Sequence, residues 1–256
     1  MLQEQAIVEE CREIAEGIYA LRFRSPLIAK QARPGQFVNI RVDEGIDPLL
    51  RRPFSVSRTV DGTAEVVFNV VGVGTRILSE KRAGEFLDIL GPLGHPWEYT
   101  TGFDIALIVA GGLGVAPVPI LTDFLLREEK NIITFLGART SSWVAPLNMK
   151  NLHIATEDGS KGLRGTVVEL VSDYLSSHNV ERPKIFGCGP TRMMKALSDL
   201  AISKDIPCEL LLEGEMACGI GICQGCPVEV VNGEKRYELI CTQGPAFDCR
   251  HIILPS

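Results

Sequence analysis

The chain has 256 residues, 45% of them hydrophobic and 23% charged, with a formal net charge of −6. That length accommodates two domains and a small appendage, and the acidic balance speaks against nucleic acid as a partner. The N-terminal run MLQEQAIVEECRE carries charge where a secretory signal needs an apolar core, so the expectation is a cytoplasmic chain with reduced thiols.

Residues 1–101 read as short strands punctuated by turns. Strands are expected at Ile18–Phe23, Phe37–Val42, Ala64–Val71 and Phe86–Ile89, separated by Arg33-Pro34-Gly35, Asp61-Gly62 and Gly91-Pro92. That spacing predicts a small antiparallel β-barrel. Within it, Arg51-Arg52-Pro53-Phe54-Ser55 combines an arginine suited to phosphate, a turn-fixing proline and a serine able to bond a flat heterocycle. The alternative is a solvated surface arginine pair. Val70-Val71-Gly72-Val73-Gly74-Thr75 then leads from a strand into a short helix, Arg76–Lys81. Such a turn either presents backbone N–H groups to a phosphate or is a plain helix cap by Thr75.

The pattern changes near Thr101-Gly102. Over residues 102–207, strands at Ile105–Ala110, Ile132–Leu136, Leu152–Ala155 and Lys184–Phe186 alternate with helices at Pro117–Arg127, Thr166–Ser176 and Thr191–Ile202. Alternation of this kind predicts βαβ units and an open parallel sheet. The longest uncharged run, Ile105–Leu121, contains Gly111, Gly112, Gly114, Pro117 and Pro119, which suit a buried strand and turn and not a membrane span. The turns Gly111–Pro117 and Gly187-Cys188-Gly189-Pro190 lie at the carboxyl ends of strands, where open α/β sheets bind ligands. The full G-x-G-x-x-G fingerprint is absent.

Residues 208–256 form a cysteine-rich module. Cys218, Cys223, Cys226 and Cys241 are spaced Cys-x4-Cys-x2-Cys-x14-Cys. That is the plant-type arrangement for a 2Fe–2S cluster, with three thiolates on one tight loop and a fourth from further along. Zinc sites favour two short knuckles, of which this run has one. Cys249 is a competing fourth ligand, set aside because Cys241 follows the strand-like Leu239-Ile240. Cys11 and Cys208 read as small apolar residues. His95, His153, His178 and His251 do not cluster in sequence.

In chain order, Arg-Pro-Phe-Ser, Gly-x-Gly-Thr, Gly-Gly-x-Gly-x-Ala-Pro and Gly-Cys-Gly-Pro resemble the ferredoxin–NADP reductase family across residues 5–205. The resemblance implies an FAD-binding barrel followed by an NAD-binding domain. It carries flavin contacts to Arg52, Pro53, Phe54 and Ser55, and the flavin pyrophosphate to the turn containing Val70, Gly72, Gly74 and Thr75. It carries nicotinamide contacts to Gly112, Gly114, Cys188, Gly189 and Pro190. Adding Glu213–Cys226, Cys241 and Gly244-Pro245-Ala246-Phe247, the chain is similar to the electron-transfer subunits of dihydroorotate dehydrogenase B. That family implies FAD, a 2Fe–2S cluster and NAD(H), and a separate FMN-containing catalytic subunit in a heterotetramer. His95-Pro96-Trp97 departs from the family pattern, and Arg139 keeps NADP open through its 2′-phosphate. Two readings compete. One is a flavin subunit of a sulfide dehydrogenase, cytoplasmic hydrogenase or ferredoxin-dependent transhydrogenase. The other is a zinc-stapled nucleotide-binding module.

Overall fold

The computed structural model describes residues 1–45, 47–145, 147–231 and 236–255. Strands β1 (Leu2–Ala15), β2 (Ile18–Arg24), β3 (Phe37–Arg41), β4 (Arg52–Val60), β5 (Thr63–Asn69) and β6 (Phe86–Leu93) close an antiparallel barrel in the order β1-β2-β5-β4-β3-β6. Strict alternation drives closure: along β6 every second residue is buried, and Val38, Ile40, Val56, Val66, Phe68 and Ile89 meet inside. Two short helices, α1 (Pro26–Gln31) and α2 (Val73–Ser79), lie against the barrel. Helix α2 starts three residues ahead of the expected Arg76, because Thr75 Oγ1 accepts from the N–H groups of Val71 (2.9 Å) and Gly72 (3.2 Å) and so caps the first turn.

Beyond Thr101 the chain builds β7 (Ile105–Gly111), β8 (Asn131–Ala138), β9 (Leu152–Thr156), β10 (Leu163–Arg164), β11 (Pro183–Cys188) and β12 (Cys208–Leu211), all parallel in the order β10-β9-β8-β7-β11-β12. Helix α3 (Val118–Arg127) covers one face. Helices α4 (Val167–Ser177) and α5 (Thr191–Ser203) cover the other. Strand β7 shows why the run was uninterruptedly apolar. Ala106, Ile108 and Ala110 face α3, while Leu107 and Val109 face α4 and α5. Helix α4 opens on a capping box in which Thr166 Oγ1 accepts from the Glu169 N–H and the Glu169 carboxylate accepts from the Thr166 N–H at 2.7 Å.

The cysteine-rich segment adds a two-stranded ribbon, β13 (Pro227–Glu229) and β14 (Tyr237–Leu239), and then β15 (Ala246–Asp248). Strand β15 pairs antiparallel with β12 and becomes the seventh strand of the large sheet. The expected limit at 101/102 falls in the connection between β6 and β7. The expected limit at 207/208 falls just before β12, which hydrogen-bonds to β11 and therefore packs with the sheet.

The barrel and sheet meet over His95-Pro96-Trp97. The Trp97 ring is buried edge-on to Phe186, its backbone N–H donates to the Pro34 carbonyl at 2.9 Å, and the His95 backbone N–H donates to the Gly244 carbonyl. The departure from the family pattern is thus used in packing between the three parts. Buried Lys184 clamps the same region. Its Nζ donates to the Glu98 carbonyl at 2.6 Å and to Glu209 Oε1 at 3.0 Å, and lies over the Phe103 and Phe186 rings. Lys184→Met is therefore expected to lower the unfolding free energy by about 3 kcal/mol, because it strands a half-buried carboxylate. Lys195→Ala, which breaks only the exposed Lys195–Asp199 pair, is expected to cost less than about 1 kcal/mol in the same urea titration.

Candidate functional site

Three features converge where barrel, sheet and cysteine segment meet. The first is a cleft of about 980 Å³ lined by Arg52, Pro53, Phe54 and Ser55 of β4, by Val71 and Thr75, by Leu113, and by Leu211–Gly214, Met216 and Pro245. The two adjacent arginines divide their work. Arg51 is spent on the barrel, pairing with Asp88 Oδ2 at 2.6 Å and donating to the Asp88 carbonyl. Arg52 has no carboxylate partner among the described residues. Its Nη1 donates to the Leu50 carbonyl, and its Nε lies 3.1 Å from where a Cβ at Gly74 would sit. A side chain at position 74 would displace that guanidinium. A largely apolar cleft holding one unpaired guanidinium fits a flat heterocycle carrying phosphates. The N–H groups of Val73, Gly74 and Thr75 have no partner within the first turn of α2. Val70 stands just outside the lining, its N–H donating to Gly17.

The second feature is a cleft of about 1380 Å³ at the carboxyl ends of the strands, lined by Gly111–Leu113, Gly137–Arg139, Trp143, Glu157, Gly165–Val168, Pro190, Arg192, Met193 and Ala196. Leu113 is common to both clefts. A ligand lying in the second cleft therefore ends beside a ligand lying in the first. Gly112 leaves open space where its Cβ would be. Gly114, Cys188 and Gly189 line neither cleft. A Cβ at Gly114 would fall 2.2 Å from the Cys188 carbonyl oxygen, so the glycine allows the ends of β7 and β11 to close on each other behind Leu113. Cys188 is 2% exposed, and burial, followed by the nearby Glu213 carboxylate, holds its thiol well above the usual range. Glu213 itself, on the wall of the first cleft, is pushed up by burial.

The third feature is the cysteine loop. Its thiols meet as two pairs: Cys218 Sγ lies 3.3 Å from Cys223 Sγ, and Cys226 and Cys241 are buried as neighbours, burial followed by the Cys226 thiol pushing the Cys241 thiol up to about 12. Backbone donors turn toward the sulfurs. The Ile220 and Cys223 N–H groups point at Cys218 Sγ (3.5 and 3.4 Å), and the Gly225 N–H points at Cys223 Sγ (3.4 Å). These donors outweigh burial and bring the Cys218 thiol down to about 7. Gly219 and Gly221 make this wrapping possible, with φ of +70° and +82°. Among the described residues no three His, Cys, Asp or Glu side chains close on a single ion. Two thiol pairs with N–H groups aimed at sulfur fit a two-iron cluster better than one tetrahedral zinc. Cys249 faces away, a free thiol beside Cys208 of β12 and Ser198 of α5, its N–H donating to the Cys208 carbonyl at 2.9 Å.

Sequence reasoning missed Leu113, Glu157, Glu213 and Met216. Glu157 follows directly on β9, where an acidic residue at a strand end was the available signal. Glu213 and Met216 lie in the segment that carries the family resemblance, which gave them no role of their own, and Leu113 was read only as part of the Gly111–Pro117 turn.

Comparison with known proteins follows the same division. Residues 213–253 match the family model described as the iron–sulfur cluster binding domain of dihydroorotate dehydrogenase B. The chain is 37% identical over 262 residues to a dihydroorotate dehydrogenase B (NAD(+)) electron transfer subunit of Geobacillus sp. (strain WCH70), covering 99% of this chain and 100% of that one. It is 36% identical over 249 residues to the subunit of the same name from Desulforamulus reducens, covering 94% of each. Among solved structures, a chain of an NADH-dependent reduced ferredoxin–NADP oxidoreductase, studied for flavin-based electron bifurcation, superposes with a TM-score of 0.86 at 32% identity, over 97% of this chain and 90% of that one. A ferredoxin–NADP+ reductase from Neisseria gonorrhoeae with bound FAD and NADP shares the fold at a TM-score of 0.66 and 15% identity, over 78% and 91%. With full-length identity above a third and the cysteine module matched, the chain belongs to the electron-transfer subunits of dihydroorotate dehydrogenase B.

Proposed function

We propose that this chain passes electrons between NAD(H) and an FMN-containing catalytic subunit that converts dihydroorotate to orotate, by way of FAD and a 2Fe–2S cluster. It is an oxidoreductase subunit, and its family's name implies a catalytic partner. The carrying observation is adjacency. Leu113 walls both clefts, and Met216, on the wall of the first, stands two residues before Cys218. When bound, the nicotinamide and FAD supply two-electron hydride exchange and the cluster supplies one-electron carriage.

The residues divide accordingly. Arg52 neutralises flavin phosphate, Phe54 and Ser55 seat the ring, and the turn from Val70 through Gly72 and Gly74 to Thr75 receives the pyrophosphate. Gly112 and Pro190 line the nicotinamide cleft, while Gly114, Cys188 and Gly189 let the strand ends close behind it. Cys218, Cys223, Cys226 and Cys241 bind the cluster. NAD is supported over NADP by Glu157, which shares the cleft with Arg139 and suits a free ribose 2′-hydroxyl. No helix among the described residues is long and apolar enough to cross a membrane.

The test is to mix the purified chain with a dihydroorotate-oxidising FMN subunit from the same genome, with which the reading expects a heterotetramer, and assay orotate-dependent NADH oxidation. The reading predicts activity only in the mixture. Oxidation that instead requires ferredoxin and NADP(H) would favour the bifurcating partner, which the likeness to that oxidoreductase makes the second reading. The cysteine module's family match carries the first.

Two substitutions test the residues. Arg52→Ala is expected to weaken FAD binding about 10- to 100-fold, the worth of a charge-assisted bond, whereas Arg51→Ala is expected to lower the melting temperature with little change in flavin Kd. Cys241→Ser is expected to abolish the cluster's visible absorption, and Cys249→Ser to retain it. The opposite pattern would reassign the fourth ligand.

A further inference from the structure

Strand β3 borders the first cleft through Phe37, and the same ring packs on the cysteine loop, 3.4 Å from where a Cβ at Gly219 would lie. Phe37 and Asn39 sit on the outward side of the strand, since Val38 and Ile40 fill the barrel. Asn39 is only 1% exposed. Its Nδ2 donates to the Cys218 carbonyl at 3.0 Å, while its Oδ1 is buried with no hydrogen-bond partner among the described residues. The amide cannot be turned round without setting two acceptor oxygens face to face, so the donor orientation is dictated by the loop. The approach is close: a Cβ at Gly219 would lie 2.2 Å from Asn39 Nδ2. A leucine of similar shape would spare the barrel the burial of an unmet acceptor. The amide is accounted for by the contact it makes with the loop, not by any need of the barrel.

We propose that Asn39 is a positioning residue that anchors the cysteine loop to the flavin barrel through the Cys218 carbonyl, setting the loop's place relative to the first cleft. Partners that orient a ligand without touching the metal act in this way elsewhere. The inference rests on Cys218 being a cluster ligand.

The experiment purifies wild-type, Asn39→Leu and Asn39→Ala chains anaerobically with FAD and cluster. It then follows loss of the cluster's visible circular dichroism in the presence of a ferrous chelator. Both variants are expected to release iron about 10- to 100-fold faster than wild type, with FAD per chain retained. Gly219→Ala is expected to speed release more when Asn39 is present than in the Asn39→Ala background, where the crowding is gone and the cost of the positive φ is unchanged. Equal release rates in all three chains would overturn the proposal. So would loss of FAD in step with iron, or failure of Asn39→Ala to fold, since either assigns the residue to the barrel. A wild-type chain that binds no cluster would overturn the cysteine assignment itself, and is recognisable before any variant is made.

Discussion

The structure depends on the pairing of β15 with β12. Glu209, Leu210 and Leu211 register against Asp248, Phe247 and Ala246, and the Leu212 N–H donates to the Pro245 carbonyl at 2.8 Å. This short ladder brings the C-terminal segment back across the edge of the nucleotide-binding sheet. It seats Pro245 in the wall of the first cleft and Gly244 against His95 of the barrel connection. The segment spanning Glu213–Gly244 is thereby tied at both ends, and the cysteine loop within it is held beside the cleft. Backbone pairing brings the segment beside the cleft, and the Asn39 Nδ2 bond to the Cys218 carbonyl ties the loop within it to the barrel.

The same economy governs the electrostatics. Charges with structural tasks are paired: Arg51 with Asp88, Lys184 with Glu209, Arg58 with Asp123. Arg52, to which the proposal gives the flavin phosphate, has no carboxylate partner among the described residues and is braced by the Leu50 and Arg51 carbonyls. The thiols follow a related rule. Cys218 and Cys223 lie toward solvent, beside Ile222 at 78% exposure, whereas Cys226 and Cys241 are buried. One edge of the cysteine site is therefore open to a partner, and the other is sealed against the chain's own core.

Much of this was legible in the sequence because the signals are local. The βαβ strands are apolar runs between glycine turns, and the first three cysteines sit within nine residues of one another. What was not legible depends on distant pairing. Strand β1 carries seven charged or amide side chains among its fourteen residues and reads as surface until β2 and β6 pair with it. Strands β12 and β15 are too short to announce themselves, yet their pairing turns Cys249 toward Cys208 and leaves Cys241 with Cys226. Likewise the chemistry of Arg51-Arg52 does not separate the two; the resemblance singled out Arg52, and only Asp88 of β6 shows what Arg51 is for. Asn39 lies 179 residues from the carbonyl it holds.

The central claim is that the two clefts and the cysteine loop form one ordered path, with the flavin site in the middle. The most direct measurement is anaerobic stopped-flow reduction by NADH of the chain with its cluster intact, compared before and after removal of FAD. The account predicts that the cluster's absorption is bleached by NADH only when FAD is present, and after the flavin band begins to fall. Bleaching at an unchanged rate in the flavin-free chain would contradict it.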